Sequence, residues 1–397
     1  MFKKIGRNLE LDRLRAFAVL MVIGIHYSRI FFPWGIDQNY AHGGTILNLL
    51  ENSWTGVDLF FVISGYIISK MIVEKIDHLL PHKPQLMRFI KNFYIRRFFR
   101  IYPVAWMFFI LVLLCSIFFN KTGYFSTPEN TLEAGITIFT YTFNYYFGSG
   151  SYHAFTLSPY WSLSLEEQFY LILPFFLIFV RSHKKRIIIL FGLLFVLSFI
   201  VRPLSPDNIF YTQNRCDGLI YGCLLYYLSI QPVFIQLFNP AKKNGVFSIV
   251  IVIVVLFVLG TVSSVGFPDA AIIPLACMLS TILVGIASLE INMISFGKWI
   301  NNILDYFGSR SYSLYIAHFP MFTITQEIFF RLAKRNHWIL NAHFSILYTA
   351  TAFFLILVCS ELSYRFIERP AIARGRDLTN LKKPENSDAI ESAVHAV

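Results

Sequence analysis

Apolar runs close to twenty residues long recur along almost the whole of this 397-residue chain, and no other feature limits its fold as tightly. About 20 apolar residues carry a helix across the roughly 30 Å hydrocarbon core of a bilayer, whereas a barrel strand needs only about ten. Inside that core every backbone N–H and C=O must find a partner within the protein, so runs of this length read as helices. With 56% hydrophobic and 14% charged residues, the chain is read as an all-α, polytopic membrane helical bundle.

Spans are expected near residues 14–34, 54–73, 101–119, 161–180, 187–201, 215–231, 246–264, 270–290, 311–330 and 344–366, about ten transmembrane helices. The formal net charge of +11 could point to nucleic acid, but its distribution points to the bilayer. With ten spans, both ends of the chain and alternate loops share one side and hold 27 of the 34 Lys and Arg. The positive-inside rule then places both termini in the cytoplasm. Counting "LEAGITIFTYTFNYYF" (132–147) as a further span would move the basic "RSHKKR" loop to the outer face, so a re-entrant or interfacial segment is expected there. Residues 1–370 read as one membrane domain and the polar stretch 371–397 as a disordered cytoplasmic tail. The first run lacks a small-residue cleavage site and is expected to stay as a span. The five cysteines have no metal-ligand spacing, and neither a disulfide framework nor a metal site is expected.

The first run begins "LDRLRAFAVLMVIGIH" (11–26), with Arg15 and His26 eleven residues apart. At about 100° and 1.5 Å per residue, the two side chains fall within roughly 20° of one face and about 16 Å apart along the axis. Arg15 sits at the interface, where its head can reach water or bind an anion. His26 sits in the hydrocarbon, where an ionisable group is costly and usually lines a site or pathway. A hydrogen bond to a neighbouring helix would also satisfy the imidazole, and that reading stays open. Asp58, near the outer end of the second run, lies in the same half of the bilayer. A contact with His26 would fix the imidazole tautomer and raise its basicity, as a general base requires; otherwise Asp58 stabilises the start of its own helix.

In "RFIKNFYIRRFFRIYP" (88–103), Arg96, Arg97 and Arg100 alternate with Phe98, Phe99 and Tyr102. Basic residues beside a membrane commonly orient the protein and touch lipid, yet planar guanidinium groups also suit a phosphorylated ligand. In "WSLSLEEQFY" (161–170), Glu166 and Tyr170 share a helix face at i and i+4 with Ser162, while Glu167 points about 100° away and is expected to be solvated. Glu166 either bonds another helix or assists acceptor binding and proton transfer. Arg215 and Asp217 open a later span without facing each other and are structural or acceptor-side; His318 precedes Pro320, which loosens the local backbone, and either makes a buried structural hydrogen bond or takes part in catalysis. Glu361, Glu368 and Arg369 are expected in structural ion pairs or on the surface.

Seven of these stretches, taken in order, resemble the signatures of the integral-membrane acyltransferase family 3: "LDRLRAFAVLMVIGIH", "GVDLFFVISGYIIS", "FYIRRFFRIYP", "WSLSLEEQFYLILP", "RCDGLIYG", "SYSLYIAHFP" and "YRFIERP". They run from residue 11 to 370. The resemblance implies a bacterial inner-membrane enzyme that moves an acyl group, commonly acetyl, from cytosolic acyl-coenzyme A to a hydroxyl on a cell-surface glycan or its lipid-linked precursor. The family's Arg and His pair maps onto Arg15 and His26, its Gly-x-Asp onto Gly56 and Asp58, and its arginine motif onto Arg96, Arg97 and Arg100. Some relatives add a periplasmic hydrolase-like domain, for which this chain is expected to lack room; the membrane domain then works alone or with a periplasmic partner protein.

The expected mechanism is direct transfer. Arg15, Arg96, Arg97, Arg100 and Tyr102 would hold acyl-coenzyme A, whose arm threads toward His26, the general base, with Asp58 and Glu166 assisting. Trp161, Ser164, Tyr170, Asp217 and His318 are the candidates for the glycan or glycolipid side. A covalent route through Ser64 or Ser164 lacks a Gly-x-Ser-x-Gly turn. A proton-coupled transporter or flippase is the rival reading, with the same buried charges serving as a path, and a non-catalytic scaffold is the third.

Overall fold

The computed structural model describes residues 8–30, 53–150, 153–204, 208–237, 245–265 and 268–380, which form helices and turns with no strand among them. The chain opens with α1 (Leu9–Ile30), α2 (Gly56–Leu79) and α3 (Lys83–Phe118). Two short helices follow, α4 (Pro128–Phe139) and α5 (Phe143–Gly148). Then come α6 (Tyr160–Phe179), α7 (His183–Val196), α8 (Asp217–Ser229), α9 (Gly245–Thr261) and α10 (Asp269–Ser288). The last group is α11 (Lys298–Ser309), α12 (Ser311–Asn336), α13 (Ser345–Ser363) and α14 (Arg369–Asn380).

Each of the ten expected spans falls on a helix, and residues 31–34 of the first lie outside the described ones. Six helical stretches are long and apolar enough to cross a membrane by length and composition. The bundle is a membrane-embedded, all-α fold. The segment expected to be re-entrant is broken into α4 and α5, with Tyr141 between them at a φ of 57°. At 1.5 Å per residue neither piece approaches 30 Å. Pro128 at the first turn and the Thr127 hydroxyl, which accepts the Asn130 N–H at 3.2 Å, start α4.

The polar start of α1 is explained by packing. Glu10 accepts the backbone N–H groups of Asn292 and Ile294, both at 2.8 Å, and Arg13 donates to Asp305 (2.9 Å) and to the Ile294 carbonyl (2.6 Å). These bonds fasten the loop before α11 to α1 and leave Arg15 for another surface. Helices α2 and α8 meet through small residues: a Cβ on Gly222 would lie 2.3 Å from the Val62 carbonyl oxygen, and one on Gly65 would lie 2.1 Å from that of Leu219. Without side chains at these points the backbones approach closely, the usual route to tight helix pairs in lipid. That approach sets the start of α8 against the first turns of α2, where Asp58 lies.

Two expectations change here. The arginine segment is continuous with the third span, because α3 runs through Pro103 for 36 residues. The Tyr160 and Tyr312 hydroxyls donate to the carbonyls of Ala105 (2.5 Å) and Ile101 (2.7 Å) beside that proline. The tail expected to be disordered from residue 371 is helical through Asn380, since α14 lies along α3: Thr379 and Asn380 accept from Arg96 at 2.8 and 3.3 Å. Residues 381–397 lie outside the described ones.

Candidate active site

Two of the cavities inside the bundle are lined by arginine or histidine side chains. The first, about 100 Å³, is lined by Arg15 of α1, Ser64 of α2, Arg97 and Arg100 of α3, Ser162, Glu166 and Tyr170 of α6, and Tyr312 and Tyr315 of α12. Its charges are organised. The Glu166 carboxylate accepts from Ser64 (3.0 Å) and from Tyr170 (3.1 Å), the latter being the i, i+4 pair expected on α6. Arg97 stacks on the Tyr170 ring at 4.5 Å, and Arg15 donates to Asp12 at 3.1 Å. Three guanidinium groups line this one small space, where Glu166 is the one carboxylate among the lining residues, an arrangement whose planar donors suit an anionic ligand.

The second cavity, about 490 Å³, lies toward the other end of α1 and is lined by His26 with Trp54, Phe147, Phe155, Ser158, Trp161, Phe210, Arg215 and Tyr315. Its walls are aromatic, with the polar groups few and localised, the usual composition of a ligand site. Val57 and Tyr315 line both cavities. The Tyr315 hydroxyl and the Ser162 hydroxyl are 2.6 Å apart in the wall between them.

His26 pairs with a second imidazole. Its Nδ1 lies 2.9 Å from Nε2 of His318, and the two rings stack with centroids 5.0 Å apart. His318 is fully buried, and its Nδ1 lies 2.6 Å from the Tyr315 carbonyl oxygen. A carbonyl can only accept, so His318 Nδ1 carries the proton and donates it. With His318 neutral, its Nε2 accepts from Nδ1–H of His26, which places the lone pair of His26 on Nε2.

The expected Asp58 to His26 contact gives way to this pair. Asp58 is wholly buried and accepts from Arg215 at 3.0 Å, with the Cys277 thiol at 3.8 Å. Asp217 is bonded to Arg202 and lines neither cavity, because both carboxylates at the α2–α8 crossing are taken by buried arginines. Arg96 is turned to α14. Tyr102 stacks on Phe98 at 4.5 Å and shares with Ser164 a separate void of about 10 Å³, so neither meets the arginine cavity. Tyr170 lies in the basic cavity and Trp161 in the aromatic one, while His318 touches the second cavity through His26. Glu167, expected to be solvated, is buried, since the start of α6 packs against α2 and α5. Glu361 accepts from Arg310 at 2.7 Å, and Glu368 from Ser313 at 2.6 Å, as structural pairs. Among the described residues no group of three His, Cys, Asp or Glu could hold a metal ion.

Tyr315, Tyr312 and Ser311, which line the basic cavity, and Trp54, which lines the aromatic one, are not among the expected site residues. A signal existed for one of them: Tyr315 precedes His318 by three residues and so shares its helix face. Nothing in the sequence marks the others.

The family described as an acyltransferase domain matches residues 8–364. A peptidoglycan O-acetyltransferase, OatA of Listeria monocytogenes, is 30% identical over 391 residues, covering 92% of this chain and 56% of the relative. The O-acetyltransferase OatA of Staphylococcus aureus is 26% identical over 400 residues, with 92% and 57% covered. A putative peptidoglycan O-acetyltransferase of Bacillus subtilis, YrhL, is 24% identical over 397 residues, with 92% and 55% covered. The chain thus spans about half the length of the curated relatives it matches. No solved structure matches it.

Proposed function

The chain belongs to this acyltransferase family, and from that premise we propose that it is an O-acetyltransferase carrying acetyl from acetyl-coenzyme A to a hydroxyl of peptidoglycan or its lipid-linked precursor. The observation that carries the reading is the pair of abutting cavities, one rimmed by three arginines and the other holding His26, sharing Val57 and Tyr315 as a common wall. The protein lies in the bacterial cytoplasmic membrane with its basic end inward, following the charge bias.

Arg15, Arg97 and Arg100 bind the phosphates of the donor, which are anionic at any physiological pH. The acyl arm extends past Tyr315 into the aromatic cavity, over a distance comparable with the roughly 16 Å rise between Arg15 and His26. A sugar stacks on the aromatic wall. His26 Nε2 takes the hydroxyl proton, the oxygen attacks the thioester carbon, and the collapsing intermediate expels a thiolate that recovers the proton from His26. His318 is a positioning residue that holds the tautomer. The peptidoglycan specified in the names of two relatives supports the choice of acceptor.

Thiol release from acetyl-coenzyme A by the purified protein, with and without soluble peptidoglycan fragments, tests the reading. Fragment-dependent thiol release with ester formation is expected. Movement of substrate across a vesicle with no thiol released would replace it with the transporter reading.

A further inference from the structure

Arg215 is the one permanent cation among the described residues lining the cavity that holds His26. It is 3% exposed, and its surroundings fix it on three sides. Nη2 donates to Asp58 at 3.0 Å, and the guanidinium carbon lies 4.7 Å from the Trp54 ring centroid and 5.9 Å from that of Trp161. Its Nη1 has no hydrogen-bond partner among the described residues, although the atom is buried. A buried charged donor left without an acceptor costs free energy. A fold that bears that cost beside a reaction cavity holds a donor in reserve for a charge that is absent at rest.

Thioester acyl transfer supplies such a charge. When the acceptor oxygen adds to the carbonyl carbon, the C–O bond forms, the carbonyl π pair moves to oxygen, and His26 takes the hydroxyl proton. When the oxyanion collapses, the C=O bond reforms, the C–S bond breaks and the thiolate takes the proton back. The negative oxygen exists only between these events, and the remainder of the cavity wall is chiefly aromatic and aliphatic. We infer that Arg215 is a catalytic residue of this transfer, its guanidinium stabilising the oxyanion of the tetrahedral intermediate, with Asp58 as the positioning residue that orients it. This rests on the acyl-transfer reading above. It also gives the buried Asp58 a role at one remove from the chemistry rather than against His26. Cations placed where negative charge develops act strongly in a water-poor site, because they need not reorganise.

The test compares Arg215→Gln, Arg215→Lys and the double variant Asp58→Asn with Arg215→Gln, which swaps the ion pair for a neutral hydrogen-bonding pair. Turnover of acetyl-coenzyme A with peptidoglycan fragments is followed alongside acetyl-coenzyme A affinity and thermal unfolding, with His26→Ala as the control. Arg215→Gln and the double variant are expected to lose roughly 10²-fold or more in kcat, the usual consequence of removing one oxyanion donor. KM for both substrates should stay within about two-fold, and Arg215→Lys should recover part of the loss. A purely structural pair predicts that the neutral double variant regains wild-type kcat, which would overturn the inference. So would a loss confined to KM for the fragments, which would mean that Arg215 binds an anionic group of the acceptor. An inactive His26→Ala beside a fully active double variant removes only the Arg215 role, whereas wild-type turnover by His26→Ala removes the underlying reading.

Discussion

The two cavities differ in where they keep their charge. The basic cavity is small and lined by three guanidinium groups and a carboxylate held by two hydroxyls. The His26 cavity is several times larger and mostly aromatic, and its ionisable groups are tied to buried partners: His26 to His318, and Arg215 to Asp58. A space that must hold a permanently anionic ligand can present cations openly. A space where charge appears only in passing does better with a low dielectric and few fixed groups, since electrostatic effects there are strongest. On the proposed function, the division of labour between the cavities follows the ligand's charge along the bundle.

The largest effect is expected for His26→Ala, which should separate the two cavities functionally. On the account given, transfer falls by roughly 10² to 10⁴-fold, the usual worth of a positioned general base, while acetyl-coenzyme A affinity is retained because the basic cavity is untouched. Titration calorimetry beside a turnover assay separates the two effects. Next comes His318→Ala, which removes the acceptor of the His26 Nδ1 proton. A fall in kcat on the order of 10²-fold is expected, with partial recovery in His318→Gln, whose side-chain oxygen can still accept. Equal activity in all three forms would mean that the imidazole pair is structural.

Arg15→Ala probes the other cavity. Hydrogen bonds to charged groups contribute about 1.5–3 kcal/mol, so a roughly ten- to hundred-fold rise in the donor Kd is expected, with a kcat at saturating donor close to wild type. A fall in kcat with unchanged Kd would place Arg15 in the chemistry instead. The smallest effect is expected for Arg96→Ala. Its guanidinium is bound to α14, so donor affinity should shift by less than about two-fold, while the clasp between α3 and α14 loosens and proteolysis near residue 380 quickens. A donor defect as large as that of Arg15→Ala would show that Arg96 turns inward when ligand binds.

Much of the fold was legible because apolar runs in lipid have few alternatives to helix, and the Arg15 to His26 stripe follows from the helical repeat alone. The pairing of helices was not legible. Gly56 packs against Ala18, Met21 and Val22, which sets the neighbouring Asp58 short of His26 along α1, and the glycine contact that brings α8 against α2 carries Arg215 to Asp58. The arginine cluster shows the same limit at finer scale. Arg96 and Arg97 differ by about 100° on one helix, so one reaches α14 and the other the cavity, a choice set by neighbours the local sequence does not name. The tail of α14 misled for a related reason, since its polar composition suits a helix held by another helix as well as it suits disorder.

We propose that the two cavities are halves of one path through the membrane. This is tested most directly in sealed proteoliposomes of uniform orientation, with labelled acetyl-coenzyme A on one side and soluble peptidoglycan fragments on the other. Labelled ester is expected on the fragments only when the donor faces the basic end, with coenzyme A retained on the donor's side. Label transfer only when donor and acceptor share a side would contradict it.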